Sequence, residues 1–189
     1  MTATTPRRAD ARRNRERLLD AAREVFSTDG PGASLNEIAR RAGVGPGTLY
    51  RHFPTRQALQ AAVLRERIVA LCAKADELCA TTAPGEALAA WMRVFLAHAR
   101  TDHGLAGSVL TETYEELGLD CHQMIQDAAT RVLGRAQEAG AARADVSADD
   151  MVQLVTGIAL VTTRHVPDPR RPERLLALAL DALTAPPRG

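Results

Sequence analysis

Aromatic residues are scarce: Phe, Trp and Tyr together make up 3% of a 189-residue chain in which 46% of residues are apolar. A sandwich or barrel draws on aromatic and β-branched side chains, so this core has to come from alanine and leucine, the composition of packed helices. No alternating β-branched run is long enough to demand a strand. No run of about 18 apolar residues exists, and "MTATTPRRADARRNRERLL" meets charge before any apolar signal core, so the chain is expected to be soluble and cytoplasmic, with no membrane partner. Three cysteines, Cys72, Cys79 and Cys121, are odd in number and lack Cys-x-x-Cys spacing, so neither a disulfide framework nor a zinc knuckle is supported. Cys72 and Cys79 fall on one helical stripe and are expected to be buried, inert thiols.

Chemistry-bearing constellations are missing as well. His98 and His103 are badly spaced for shared ligation on one helix, and adjacent Cys121 and His122 point in different directions, so no metal is expected. There is no nucleophile-base pair and no glycine-rich phosphate loop, so the chain is not expected to be an enzyme or to carry a cofactor.

What is present is an asymmetry of charge. The net charge is only +1, yet residues 1–60 hold 11 Arg and no Lys against 6 acidic residues, leaving a head of +5 on a body of −4. A basic head points to a polyanion partner. The length suits one large domain or a small one joined to a larger one.

Helical punctuation runs through the whole chain. After a loose arm to about Ala9, a first helix carries Leu18, Leu19, Ala22, Val25 and Phe26 as one stripe, and "STDGPG" stops it. A second begins at Ser34, where Ser-x-x-Glu to Glu37 reads as a capping box, and ends at Gly43. Gly45-Pro46 restarts the chain, Pro46 suiting the first helical position, with Leu49 and Phe53 facing inward. A long fourth helix, about Thr55 to Ala80, leads from head to body. Further helices are expected from Pro84, over Gly104 to Leu110, from near Leu119 to Ala139, from Ser147 with Asp149 and Asp150 to "RHVPDP", and from Pro172 to near Ala185. The fold class is therefore all-α, with about nine helices.

Two short helices joined by "AGVG" form a helix-turn-helix, whose second member fits the major groove of double-stranded DNA. With Leu49 and Phe53 spent on packing, Thr48, Tyr50, Arg51 and His52 are the outward set. Thr48, near the helix start, is placed for base edges, while Tyr50, His52 and Arg56 have the reach for phosphate oxygens. The Gly45-Pro46-Gly47 start keeps bulk from the backbone. Arg7, Arg8, Arg12, Arg13, Arg15 and Arg17 can be a solvated basic tail or an arm that follows the duplex.

The stretch "LNEIARRAGVGPGTLYRHFPTRQAL" resembles the DNA-binding domain of the tetracycline-repressor (TetR) family of bacterial transcription regulators. The resemblance rests on the capped helix, the Ala-Gly-Val turn, the Thr-Leu-Tyr-x-His-Phe helix and a basic residue just after it, here Arg56 where the family often has Lys. It covers about Arg13 to Val63. It implies an N-terminal DNA-binding domain over residues 1–56, with Ser34, Asn36, Gly45, Pro46, Gly47, Thr48, Tyr50, Arg51, His52 and Arg56 as its DNA-binding positions. It further implies a regulatory and dimerisation domain over residues 57–189, a homodimer, a repressor more often than an activator, and a small-molecule effector. Residues 85–110, "GEALAAWMRVFLAHARTDHGLAGSVL", also resemble the C-terminal domain of the SbtR-like subgroup.

Within the body, Leu71, Trp91, Met92, Phe95, Tyr114 and Met124 are either core or the border of an effector pocket; aliphatic walls suit an apolar or amphipathic ligand. The last two helices are more apolar than surface helices of a monomer need. Met151, Leu154, Val155, Ile158, Val161, Leu176, Leu180 and Leu183 are the candidates for a four-helix interface with a second copy, where Gly157 and Ala159 allow close approach.

Overall fold

The computed structural model describes residues 6–109, 121–164 and 168–184, with side chains over 9–101, 121–162 and 168–184. Those residues form eight helices and no strand: α1 Pro6–Asp29, α2 Leu35–Arg41, α3 Pro46–His52, α4 Arg56–Thr81, α5 Pro84–Val109, α6 Cys121–Glu138, α7 Ala148–Arg164 and α8 Arg171–Thr184. Two expectations change. The helix anticipated over Gly104 to Leu110 is the continuation of α5, unbroken through Val109 because nothing before that point interrupts its backbone ladder. The arm expected to end near Ala9 is already helical from Pro6, a residue whose fixed φ and missing N–H suit a first turn. Leu110–Asp120, which hold Tyr114, lie outside the described residues.

The chain divides into two compact units. The first comprises Met1–Glu66 with Gly104–Gly118; the second comprises Arg67–His103 with Leu119–Gly189. Each has its own core, and α4 supplies residues to both.

In the first unit, Leu18, Leu19, Ala22, Val25 and Phe26 of α1 meet Ile38 and Ala39 of α2, Leu49 of α3, Phe53, and Leu59 and Val63 of α4. Burying each large side chain is worth roughly 1.5–3 kcal/mol, which is how helices as short as α2 and α3 hold together. The loop after α1 is tied down by buried Gln60, whose Nε2 donates to the Pro31 carbonyl at 2.8 Å.

In the second unit, α4, α5, α6, α7 and α8 surround Trp91, which is wholly buried and donates Nε1–H to the Leu71 carbonyl at 3.1 Å. Its ring stacks on Phe95 with centroids 5.3 Å apart. Met92 and Phe95 are buried in the same core, so three of the expected pocket residues pack against protein, their stripe on α5 facing the bundle. Arg131 of α6 pairs with Asp76 of α4 at 3.0 Å. The start of α7 shows a full capping box: Asp150 N–H donates to Ser147 Oγ at 3.1 Å, and the Asp150 carboxylate accepts from the Ser147 N–H at 2.9 Å and hydroxyl at 2.6 Å. Those bonds hold the Asp150 carboxyl below the usual carboxylate range.

Candidate DNA-binding surface

The surface is built by how α2 stops and α3 starts. Ser34 caps α2, its side chain accepting from the Glu37 N–H at 3.4 Å. The reciprocal half of the expected capping box is absent, because the Glu37 carboxylate is taken by two arginines. Arg40 donates from Nε at 2.8 Å and Nη2 at 2.7 Å, and Arg41 from Nε at 2.8 Å. These bonds, Arg40's first, hold the Glu37 carboxyl well below its ordinary value, at about 2. Arg40 and Arg41 of α2 thus share a single carboxylate, and the trio keeps a net charge of +1.

Gly43 ends α2 in the left-handed region at φ +63°. Val44 N–H then reaches back to the Ala39 carbonyl at 3.0 Å and Gly43 N–H to the Arg40 carbonyl at 3.1 Å, the paired bonds of a Schellman ending, with Val44 packed on the core. The chain leaves in the extended conformation of Gly45, and Pro46 opens α3. Phe53 ends it at φ −135°, ψ 90°, the extended region that the following Pro54 imposes on its predecessor.

The seven residues of α3 therefore have their inward side fixed by Leu49 and then Phe53, both buried. Pro46, Gly47, Tyr50 and Arg51 are exposed, Tyr50 at 49% of its area, while Thr48 and His52 are half-buried. The outward set expected on α3 is thus one continuous face. Arg51 lies back along the helix, its Nε donating to the Gly47 carbonyl at 3.2 Å and its Nη2 to Thr48 Oγ1 at 3.3 Å, so these two residues form one hydrogen-bonding unit. Ser34, Asn36 and Gly45 are also exposed.

Arg56 is not a freely extended arginine. Half-buried, it donates from Nη1 to the Pro31 carbonyl at 3.2 Å and to the Ala33 carbonyl, tying the loop after α1 to the start of α4. Only its remaining N–H groups can reach a phosphate. No local pattern signals this, since the acceptors are 25 and 23 residues away.

The other arginines of this unit are mostly engaged. Arg12 faces Glu16 at 3.7 Å, Arg13 pairs with Asp10, and Arg23 lies between Asp20 and Glu66. Arg15 sits over the Phe53 ring, 5.4 Å from its centroid. Arg12, Arg13, Arg15 and Arg17 lie on α1 rather than on a loose arm; the side chains of Arg7 and Arg8 lie outside the described residues.

In the second unit a cleft of about 410 Å³ opens between α4 and α5, lined by Arg67, Ala70, Leu71, Val94, His98 and their neighbours. Of the expected pocket residues described, Leu71 alone borders it. Met124 is half-buried, and its carbonyl accepts from the Cys72 thiol at 3.3 Å. All three cysteines are half-buried rather than buried, and burial pushes the Cys72 thiol up. Among the described residues, no three His, Cys, Asp or Glu side chains gather as a metal site, and no helix is long and apolar enough to cross a membrane.

The expected interface residues of α7 and α8 divide sharply. Met151, Val155, Ile158, Leu176, Leu180 and Leu183 are buried in the unit's own core. Leu154 and Val161 face outward, Val161 at 63% exposure, together with Leu160 and with Leu178 at 61%. Both stripes of each helix are apolar; α7 packs against α6 and α8 against α7, which takes one stripe of each.

Comparison with known proteins agrees with this construction. Residues 18–63 match the bacterial regulatory proteins of the tetR family, and residues 83–185 match the transcriptional regulator SbtR-like C-terminal domain. A TetR transcriptional regulator from Streptomyces coelicolor is 43% identical, superposes with a TM-score of 0.75, and is matched over 90% of this chain and 98% of its own. A TetR regulatory protein from Mycobacterium vanbaalenii is 36% identical with a TM-score of 0.70, over 95% of this chain and 100% of its own. Among curated relatives, the uncharacterized HTH-type regulator TtgW of Pseudomonas putida is 47% identical over 60 residues, 31% of this chain and 45% of that protein. The regulator UidR of Escherichia coli is 44% identical over 64 residues, 33% of each chain. The chain thus spans less than half the length of these two curated relatives. With both regions matched and similarity to solved family members running almost end to end, the chain belongs to the TetR family of helix-turn-helix transcriptional regulators.

Proposed function

We propose that this chain is a cytoplasmic, homodimeric repressor that binds a near-palindromic operator and is released by a small-molecule effector. Residues 1–56 are the DNA-binding part and residues 57–189 the regulatory and dimerising part. The observation that carries this reading is α3, whose Leu49 side is buried while Pro46, Gly47, Tyr50 and Arg51 stand exposed beside half-buried Thr48 and His52. A helix fixed on one side and open on the other is what a major groove accepts. In this reading Thr48, with Arg51 bonded to it, addresses base edges; Tyr50, His52, Ser34, Asn36 and the remaining donors of Arg56 address phosphates.

Two recognition helices on a dimer engage successive major grooves roughly 34–36 Å apart or somewhat more. The exposed Leu154, Leu160 and Val161 of α7 with Leu178 of α8 are the face we assign to the second copy, and exposed Gly157 among them allows close approach. An apolar or amphipathic effector bound by the second unit shifts the dimer between states of different operator affinity, with α4, whose residues belong to both units, as the connecting element. A coupling of roughly 1–3 kcal/mol changes operator affinity about 5- to 150-fold, provided the effector binds the two states unequally.

The test is selection from a random-sequence duplex library. Recovery of a near-palindromic motif, bound with salt-sensitive affinity and released by a compound that binds the protein, supports the reading. Indifference to sequence at all salt concentrations contradicts it.

A further inference from the structure

An α1 side chain reaches into the turn between α2 and α3. A Cβ added at Gly43 would run into the guanidinium Nη2 of Arg17, so that cation lies directly against the turn backbone. Gly43 is demanded by its positive φ, and the end of the Arg17 side chain rests beside it.

Arg17 also differs from its neighbours in what it touches. Among the arginines of the first unit with described side chains, only Arg17 and Arg65 meet no carboxylate, hydrogen-bond acceptor or aromatic ring, and of these only Arg17 lies against Gly43. It is exposed, and positions 45–47 offer no side-chain donor: positions 45 and 47 are glycines with open space where a side chain would stand, and position 46 is a proline. An arginine already paired has to give up its partner to bind a phosphate; Arg17 has none to give up. Its planar fork matches two phosphate oxygens.

We propose that Arg17 is a phosphate-binding residue, its guanidinium held beside Gly43 to take a backbone phosphate flanking the groove that α3 enters. The inference rests on the DNA-binding reading above. It adds to the helix-turn-helix a contact from α1 that positions the turn on the duplex without reading sequence.

The experiment compares the full-length protein with Arg17→Gln and Arg17→Lys on two labelled duplexes, one selected by the wild type from a random library and one of mixed sequence, between about 50 and 200 mM salt. Melting temperature is recorded for each variant. Arg17→Gln is expected to weaken binding to both duplexes, roughly tenfold or more on the selected one. It should also make log affinity against log salt shallower by about 0.9 for each phosphate that is no longer neutralised, about 1.8 for a dimer. Arg17→Lys keeps the slope, because the charge remains, and loses part of the affinity with the fork. Weaker binding with an unchanged salt slope shows a purely structural Arg17 and overturns the proposal, as does unchanged binding. A wild type that binds neither duplex in a salt-dependent way overturns the DNA-binding reading itself, a failure distinct from that of Arg17 alone.

Discussion

The outward face of α3 and the outward faces of α7 and α8 are both left open by the chain's own packing, yet they are opposite in chemistry. The α3 face offers Thr48, Tyr50, Arg51 and His52 over buried Leu49. The faces of α7 and α8 offer Leu154, Leu160, Val161 and Leu178 over buried Met151, Val155, Leu176 and Leu180. Donors above a fixed apolar underside suit a hydrated, charged, patterned surface such as a DNA groove. An aliphatic stripe on an already apolar helix suits another aliphatic stripe, and the simplest source of one is a second copy. In this molecule the character of each partner can be read from what the core did not consume.

The largest effect expected from breaking this contrast is in the second region. Introducing charge with Val161→Asp and Leu178→Asp together should halve the mass seen by sedimentation equilibrium. It should also cost about 10²- to 10⁴-fold in operator affinity, as bivalent attachment is lost. The same pair of changes leaving the mass untouched would move the interface elsewhere.

Next in size is the difference between inward and outward residues of the head. Phe53→Ala should lower unfolding free energy by about 3–5 kcal/mol in urea, because it empties a buried site shared by α1, α3 and α4. Tyr50→Phe, on the exposed side, should stay within about 0.5 kcal/mol of wild type in the same titration while weakening DNA binding. Thr48→Val is smaller in scope: base preference at one operator position should change by about 1–3 kcal/mol, with mixed-sequence binding little altered.

The smallest effect concerns acid. Glu37, held at about 2 by Arg40 and Arg41, has a folded pKa below its ordinary value of 4.5. Its contribution is therefore fully present above about pH 5 and fades as pH falls from 4.5 toward 2. Thermal melts of Glu37→Gln should show a shallower loss of stability across that window than wild type. Parallel curves would mean that the pair is screened to insignificance at this exposed site.

How much of this was legible beforehand depended on whether the deciding contact was local. Caps, turns and the Leu49/Phe53 spacing act over three or four residues, so α2, α3 and their exposed face could be read directly. The long-range choices could not. Periodicity makes α7 and α8 apolar on two sides but does not say which side the bundle takes; packing against α6 selected Met151, Val155 and Ile158 of α7, leaving Leu160 outside, and packing of α8 against α7 left Leu178 outside. Arg56 turning to the carbonyls of Pro31 and Ala33 depends on where a distant loop comes to rest. The contact of Arg17 with Gly43 is of the same kind. The capping box at Ser34 failed for a reason that was local but competitive: Arg40 and Arg41, three and four residues on from Glu37, outcompete the Ser34 N–H for its carboxylate. At Ser147 no such competitor takes Asp150, and the box closes.

Hydroxyl-radical footprinting of the full-length protein on its selected duplex puts the pairing of α3 helices on DNA to its most direct trial. Two protected half-sites related by a dyad, centred roughly one helical turn apart or somewhat more, are the expected result. A single protected stretch without symmetry, or none, would contradict it.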